Sequence, residues 1–133
     1  MEAFKIVPLK SVGTITFGMG RKEIRDLLGE WKEFKKNRFS KATTDSFGFC
    51  HVYYDTNECC EAVEFFSEAE LLLNEKNIMT MTFQDFCGYV EKLDSDLQIA
   101  TDGCTSKKIG LSAYAPYGEI ESIFISRQDY WDN

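Results

Sequence analysis

Proline is scarce in this 133-residue sequence, which has only two prolines and no segment rich in serine and glycine. A flexible linker between domains normally needs such a segment, so we expect one domain spanning residues 1–133. No run approaches the roughly 18 apolar residues that a membrane helix requires. The opening segment MEAFKIVPLK has no apolar stretch followed by small residues at a cleavage site. We therefore expect a cytoplasmic protein that does not contact a membrane.

Metal-ligand spacings are also missing. The five cysteines form no C-x2-C pair, and there is a single histidine, His51. An odd number of cysteines is typical of free thiols in a reducing compartment, so we expect no disulfide framework, no metal site and no cofactor. The segment DTNECCE carries Asp55, Glu58 and Glu61 but lacks the glycine and terminal glutamate of a calcium loop, which favours a solvated turn.

Apolar residues and an uneven charge distribution are what the sequence does have. Apolar residues make up 44% of the chain, including 11 Phe and 6 Tyr, which is ample material for a core. Residues 1–41 hold ten Lys and Arg against five Asp and Glu, whereas residues 42–133 hold five against seventeen. Seven carboxylates and no basic residue lie between Asp55 and Glu75. Such a region attracts a basic partner, and the alternative is a solvated surface that keeps the protein soluble.

A strand-to-helix phrase occurs twice. At an offset of 66 residues, VGTITF matches IMTMTF, so that Phe17 aligns with Phe83. GMGRKEIRDLLG then shows helical spacing up to a stop at Gly29, and QDFCGYVEKLD repeats the spacing. Each helix precedes a weak strand (EWKEFKKN, DLQIATDG) and a hairpin, one turning at Asp-Thr-Asn-Glu and the other at Pro-Tyr-Gly.

This order predicts an α+β fold. Two similar strand-helix-hairpin halves, at about residues 4–66 and 70–126, would form one antiparallel sheet with both helices packed on one face and the other face open. The halves would complete each other's core, as in a tandem duplication. The alternative is a single unrepeated α+β fold with chance internal similarity.

The segment ITFGMGRKEIRDLLGE resembles the start of the repeat in the β-lactamase inhibitor protein and in the SmpA/OmlA (BamE-like) lipoproteins. In those families a strand that ends near a glycine precedes a helix of the pattern EExxxxLG, over about sixteen residues in each half. The resemblance implies a tandem-repeat fold, but those families are exported, so no lipoprotein role is carried over. In size, acidity and expected compartment the chain also resembles bacterial immunity proteins.

Strand alternation divides the hairpin residues between two faces. The repeat places these positions under the helices: Phe47, Phe49, Val63, Phe65, Ile109, Leu111, Ile123 and Ile125. It places these positions on the open face: Val52, Tyr54, Cys60, Glu64, Phe66, Tyr114, Ile120 and Phe124. Aromatic groups among carboxylates on an exposed face are typical of a binding surface. The competing interpretation is that the C-terminal RQDYWDN or a long loop covers this face.

These features predict a non-enzymatic protein-binding inhibitor, an immunity protein that neutralises a basic bacterial toxin. The predicted partner-binding residues are Tyr54, Glu58, Glu61, Glu64, Phe66, Glu68, Glu70, Tyr114 and Phe124. The acidic members would steer and pair with partner Lys and Arg, and the aromatic members would be buried anchors.

Two alternatives concern other kinds of function. One is an enzyme or small-molecule-binding protein with a pocket near His51. Cys50 is next to His51 in the sequence, but neighbouring side chains of a strand point to opposite faces, so these two residues cannot form a catalytic dyad with each other. The other is homo-oligomerisation through the open face. The segment KEFKKNRFSK interleaves basic and aromatic residues, but in so acidic a protein a basic edge strand explains them and no nucleic-acid partner is expected.

Overall fold

A computed structural model describes residues 3–35, 37–39 and 42–131. The first half of the chain contains β1 (Ala3–Val7), β2 (Ser11–Val12), β3 (Ile15–Thr16), α1 (Arg21–Leu28), β4 (Lys32–Phe34), β5 (Thr44–Ser46), β6 (Cys50–Tyr54) and β7 (Cys60–Phe66). The second half contains β8 (Glu70–Leu73), β9 (Lys76–Asn77), a 3-10 helix (Ile78–Thr80), α2 (Phe83–Glu91), β10 (Gln98–Ile99), β11 (Gly103–Ser106), β12 (Leu111–Tyr114) and β13 (Ser122–Ser126).

The strands form two sheets. The large sheet has eight antiparallel strands in the order β10-β11-β12-β13-β7-β6-β5-β4, and β7 pairs with β13 at its centre. The small sheet has the order β3-β2-β1-β8-β9, in which β1 and β8 are parallel. Each half of the chain therefore contributes a four-stranded meander to one side of the large sheet.

The core lies between the two sheets. Phe4 of β1 contacts Phe65 of β7 at a ring-centroid distance of 5.0 Å and stacks on Phe49 at 5.4 Å. Along the centre of the large sheet, Val63 pairs with Ile125, and both are fully buried. Apolar burial of this kind is the main favourable contribution to folding.

Both helices contribute side chains to the core. Ile24 of α1 and Val90 of α2 are fully buried. The Thr82 hydroxyl accepts the backbone N–H of Asp85 at 3.1 Å and caps the start of α2. Helix α1 ends at Gly29, as the sequence predicted. The φ of Gly29 is 92°, in the left-handed region that suits glycine. No helix in the described ranges has the length and apolar character to cross a bilayer.

The predicted α+β architecture, one sheet with helices packed on one face, is wrong. The fold is mostly β: 43% of the residues are in strands, which form two separate sheets, and 16% are in helices. The physical reason is that the two helices are too short to cover one face of the large sheet. Helices of eight and nine residues are about 12–14 Å long, whereas eight strands span about 34 Å across the sheet. The segments before each helix therefore leave the large sheet and form a second sheet beneath it.

The order of elements is nonetheless alike in the two halves. Each half has short leading strands, one helix, a short edge strand, one further strand and then the predicted hairpin, β6–β7 or β12–β13. The weak strands predicted in EWKEFKKN and DLQIATDG are β4 and β10, the two edges of the large sheet. Tandem duplication, with repeats at 4–66 and 70–126, stays a prediction.

Candidate protein-binding face

The large sheet presents one face to the core and one face away from it. Register places Glu64 opposite both His51 and Phe124, and Ser122 opposite Phe66. We call the side away from the core the outer face. Its residues on the central strands are His51, Tyr53, Ala62, Glu64, Phe66, Ser112, Tyr114, Ser122, Phe124 and Ser126.

Glu64 occupies the centre of the outer face. Its carboxylate accepts one hydrogen bond from the Tyr53 hydroxyl at 2.7 Å and another from the Ser122 hydroxyl at 2.8 Å. Burial, and then this contact with Glu64, raise the pKa of Tyr53, so the phenol remains a donor over the physiological range. The two hydroxyls hold a half-buried negative charge in one orientation.

Aromatic rings surround Glu64. The His51 ring makes edge contacts with Phe34 at 5.1 Å and Phe66 at 4.8 Å, and Tyr53 contacts Phe124 at 5.6 Å. Burial lowers the pKa of His51 although the nearby Glu64 charge opposes the shift, so the imidazole is neutral at pH 7. The centre of the outer face therefore carries one net charge, that of Glu64, among apolar rings.

The C-terminal segment lies over part of this face. Tyr130 and Trp131 contact the Phe124 ring at 5.2 Å and 6.1 Å. The segment is fixed by Arg127, whose guanidinium bonds Asp55 at 2.9 Å. The interpretation that RQDYWDN folds over the sheet is thus correct for residues up to 131 and for the region of Phe124; the last two residues lie outside the described ranges. Tyr114 is still 49% exposed.

Glu64, Phe66, Tyr114 and Phe124 are the predicted binding residues that the structure brings together on the outer face. The predicted acidic cluster is separated instead. Glu58 lies in the turn before β7 and Glu68 in the turn after it, about 20 Å apart along a seven-residue strand. Glu70 begins β8 in the small sheet.

Two arginines approach the acidic turn. Glu61 is the extra residue of a bulge in β7, and its carboxylate lies 3.8 Å from the Arg127 guanidinium. Glu58 lies 3.5 Å from the Nε of Arg21. Part of the negative charge that we predicted would pair with a partner is therefore paired with arginines of the protein itself.

Tyr54 is placed wrongly by the sequence analysis, because it is only 4% exposed and faces the core. The prediction depends on alternation from Phe47 and Phe49, but these residues form the turn between β5 and β6, where Gly48 has a φ of 88°. A turn breaks the two-residue periodicity, so Val52 and Tyr54 also point inward. Cys60 is buried because of the β7 bulge, and Ile120 is buried ahead of β13.

The Tyr54 hydroxyl instead joins a buried ionic cluster that the sequence analysis missed. Asp45 is fully buried and accepts hydrogen bonds from Arg21 at 3.0 Å, from two Arg25 nitrogens at 2.7 and 2.8 Å, and from Tyr54 at 2.9 Å. A signal existed, because Arg21 and Arg25 are four residues apart and so share one side of α1. The cluster joins α1 to β5 and is fully paired at the carboxylate, which indicates a structural role.

Cys50 and His51 lie on opposite faces of the large sheet and so do not form a pair with each other. Cys50 is buried on the inner face, whereas His51 lies on the outer face. Burial raises the pKa of Cys50 to about 12, so it remains a protonated thiol at neutral pH. Within the described ranges no group of three or more His, Cys, Asp or Glu side chains is arranged to hold a metal ion.

Residues of KEFKKNRFSK that the structure describes lie at one edge of the large sheet. Lys32 and Phe34 belong to edge strand β4, and Phe39 is 78% exposed beyond it. The Arg25 guanidinium stacks over the Trp31 ring at 4.6 Å. An exposed edge that carries lysine resists pairing with the edge of another sheet. Lys36 and Lys41 lie outside the described residues.

Comparison with known proteins identifies no family or relative for this chain. No family model matches the chain, and neither does any curated protein or any solved structure.

Proposed function

We propose that the protein is a non-enzymatic inhibitor that binds another protein through the outer face, as an immunity protein would bind a basic toxin in the cytoplasm. One observation carries the proposal: a fixed carboxylate, Glu64, lies among Phe66, Phe124 and Tyr53 on the side of the sheet that faces away from the core. The five cysteines are free thiols, which suits a reducing compartment.

Exposed aromatic rings supply the contact energy in this proposal. Tyr and Phe side chains become effective anchors when a partner excludes water around them. Phe66 and Phe124 are half-buried and Tyr114 is exposed, so each has ring surface left for a partner. The rings lie on three strands of a rigid antiparallel sheet, which lowers the entropy lost on binding.

The charge of the partner follows from the charge of the face. A carboxylate in an apolar surround favours a cation, and the carboxylates in the turns at both ends of β7 extend the negative field towards the rim. Steering by such a field raises the association rate and is screened by salt. A basic partner is therefore expected to associate faster at low ionic strength.

The test uses the reading frame adjacent to this one in its genome, expressed in a bacterial host. Growth arrest by that product, relieved when this chain is co-expressed, is the expected result. Glu64→Lys should abolish the relief, because it inverts the charge at the centre of the face. Glu64→Gln should weaken it and serves as the isosteric comparison, since it keeps a carbonyl oxygen for Tyr53 or Ser122. Circular dichroism establishes that both variants are folded.

Direct binding of the purified partner, measured by calorimetry at several salt concentrations, completes the test. Affinity that falls as salt rises supports the electrostatic part of the proposal. Wild-type chain that is folded yet neither relieves growth arrest nor binds the neighbouring product would overturn the proposal. So would a stable homodimer that buries Phe66 and Tyr114, because the same face would then be occupied by a second copy.

A further inference from the structure

A cleft of about 340 Å³ lies beside the aromatic centre of the outer face, on strands β10, β11 and β12. Four residues that line it, Gly103, Thr105, Ser112 and Tyr114, are outer-face residues in register with one another. Ser112 pairs with Phe124 on the next strand, so the cleft continues the candidate binding face rather than opening elsewhere.

The cleft is lined in part by a glycine and two hydroxyl side chains. Gly103 lies opposite Tyr114, and a Cβ added at Gly103 would lie 2.4 Å from the backbone oxygen of Ala113, so only glycine fits. Next to it the Thr105 and Ser112 hydroxyls are hydrogen-bonded at 3.0 Å, and Ser112 Oγ reaches the Cys104 carbonyl at 3.1 Å. Hydroxyl and carbonyl oxygens are acceptors that suit an N–H donor.

Two further residues of the lining, Tyr114 and Asp102, carry an aromatic ring and a carboxylate. Tyr114 is 49% exposed, and Asp102 is exposed and lines the cleft. The backbone oxygen of Asp102 accepts the N–H of Ala115 at 2.7 Å, which holds Asp102 next to the strand end that carries Tyr114. In contrast to Asp45 and Asp55, Asp102 forms no ion pair with any described residue.

We propose that this cleft receives one arginine side chain of the protein partner. The inference rests on the proposed function and specifies how the partner is recognised. A guanidinium has a planar face that can stack on an aromatic ring such as Tyr114, a charge that can pair with Asp102, and donors for the Ser112 and Thr105 oxygens. Arginine suits this site better than lysine because its group is planar and has five donors.

The test uses a blocked peptide, acetyl-Gly-Arg-Gly-amide, titrated into the whole ¹⁵N-labelled protein and followed by NMR. The expected result is a saturable shift of the amide signals of Gly103, Thr105, Ser112 and Tyr114, with a dissociation constant on the order of millimolar because the ligand makes few contacts. The peptide in which citrulline replaces arginine has the same shape without the charge, and it should cause no saturable shift.

Variants separate the two contributions. Asp102→Asn should weaken peptide binding about tenfold, and Tyr114→Leu about threefold, as expected for loss of a paired charge and of a cation–π contact. Asp26→Asn is the matched control, because it removes one exposed carboxylate from α1, away from the cleft, and should leave binding unchanged.

Each outcome bears on one of the two proposals. Equal binding of the arginine and citrulline peptides, or no effect of Asp102→Asn, overturns the arginine cleft while relief of growth arrest can still support the inhibitor function. If the toxin partner binds and Glu64→Lys abolishes that binding, Asp102→Asn should also weaken it about tenfold, and unchanged affinity would again overturn the cleft. Specific peptide binding by a chain that neither relieves growth arrest nor binds the neighbouring product would overturn the inhibitor function alone.

Discussion

Ser122 donates a hydrogen bond to Glu64 at 2.8 Å across the pairing of β13 with β7, the strands at which the two halves of the chain meet. The other oxygen of Glu64 accepts from Tyr53 at 2.7 Å, on the opposite neighbouring strand. The central carboxylate of the candidate face is thus held by one residue from each of the two strands that neighbour β7. Tyr53 and Ser122 are both too far from Glu64 in the sequence for these hydrogen bonds to belong to a helix or a turn.

Replacing Ser122 with alanine tests this contact. Ser122→Ala removes the hydroxyl that bonds a charged group, so the free energy of unfolding should fall by about 1–2 kcal/mol. Urea denaturation at pH 7 measures the change. Ser67→Ala is the control, because Ser67 is exposed in the turn after β7, and it should alter stability by no more than about 0.5 kcal/mol. Equal effects of the two substitutions would contradict the assigned role of Ser122.

The buried cluster around Asp45 should matter more for stability than any surface ion pair. Asp45→Asn leaves Arg21 and Arg25 without their shared carboxylate inside the protein, and the free energy of unfolding should fall by about 3–5 kcal/mol. Glu33→Gln removes a carboxylate from the exposed end of the same network, where its side chain is 48% exposed, and should cost less than about 1 kcal/mol. Thermal and urea unfolding would show this difference, and similar losses for both would refute it.

His51 should make stability depend on pH below neutrality. Because burial lowers its pKa in the folded state, the unfolded chain takes up a proton on His51 at a higher pH than the folded protein does. The stabilising contribution is therefore complete above the unfolded pKa of about 6.5 and is lost as pH falls towards the folded value. The unfolding free energy of the wild type should decrease between about pH 7 and pH 5.

The comparison variant for this prediction is His51→Phe, which keeps a ring between Phe34 and Phe66. Subtracting its stability profile from that of the wild type removes the contribution of carboxylates that titrate lower, such as Asp55. The difference should slope only below the unfolded pKa of histidine. A flat difference across the whole range would show that His51 titrates alike in both states.

Two glycines should respond to alanine in opposite directions. Gly88 lies inside α2, where an added Cβ meets open space, so Gly88→Ala should stabilise the protein by about 1 kcal/mol through helix propensity. Gly118 also faces open space but has a φ of 88°, so Gly118→Ala should destabilise it by about 1–2 kcal/mol. Thermal unfolding monitored by circular dichroism distinguishes the two, and a loss of stability in both would mean that Gly88 has a role beyond α2.

The candidate face could be predicted only where strands run without interruption. Alternation along β7, β12 and β13 correctly places Glu64, Phe66, Tyr114 and Phe124 on one side. It fails at Tyr54 because of the Phe47–Phe49 turn and at Cys60 because of the bulge at Glu61, since each of these shifts the count of residues. A shift of one residue reverses every side chain that follows, and neither a bulge nor the start of a strand has a strong local signature.

The sequence by itself determined the local elements: the two helices, the stop at Gly29, both late hairpins and the two weak edge strands. These depend on contacts within a few residues, such as capping, turn chemistry and side-chain periodicity. Only the tertiary structure decided that the leading strands form a second sheet, that Asp45 is buried with two arginines, and that the acidic residues lie at opposite ends of β7. These outcomes depend on which distant surfaces meet, because a short amphipathic segment specifies that it must bury one side but not what covers it.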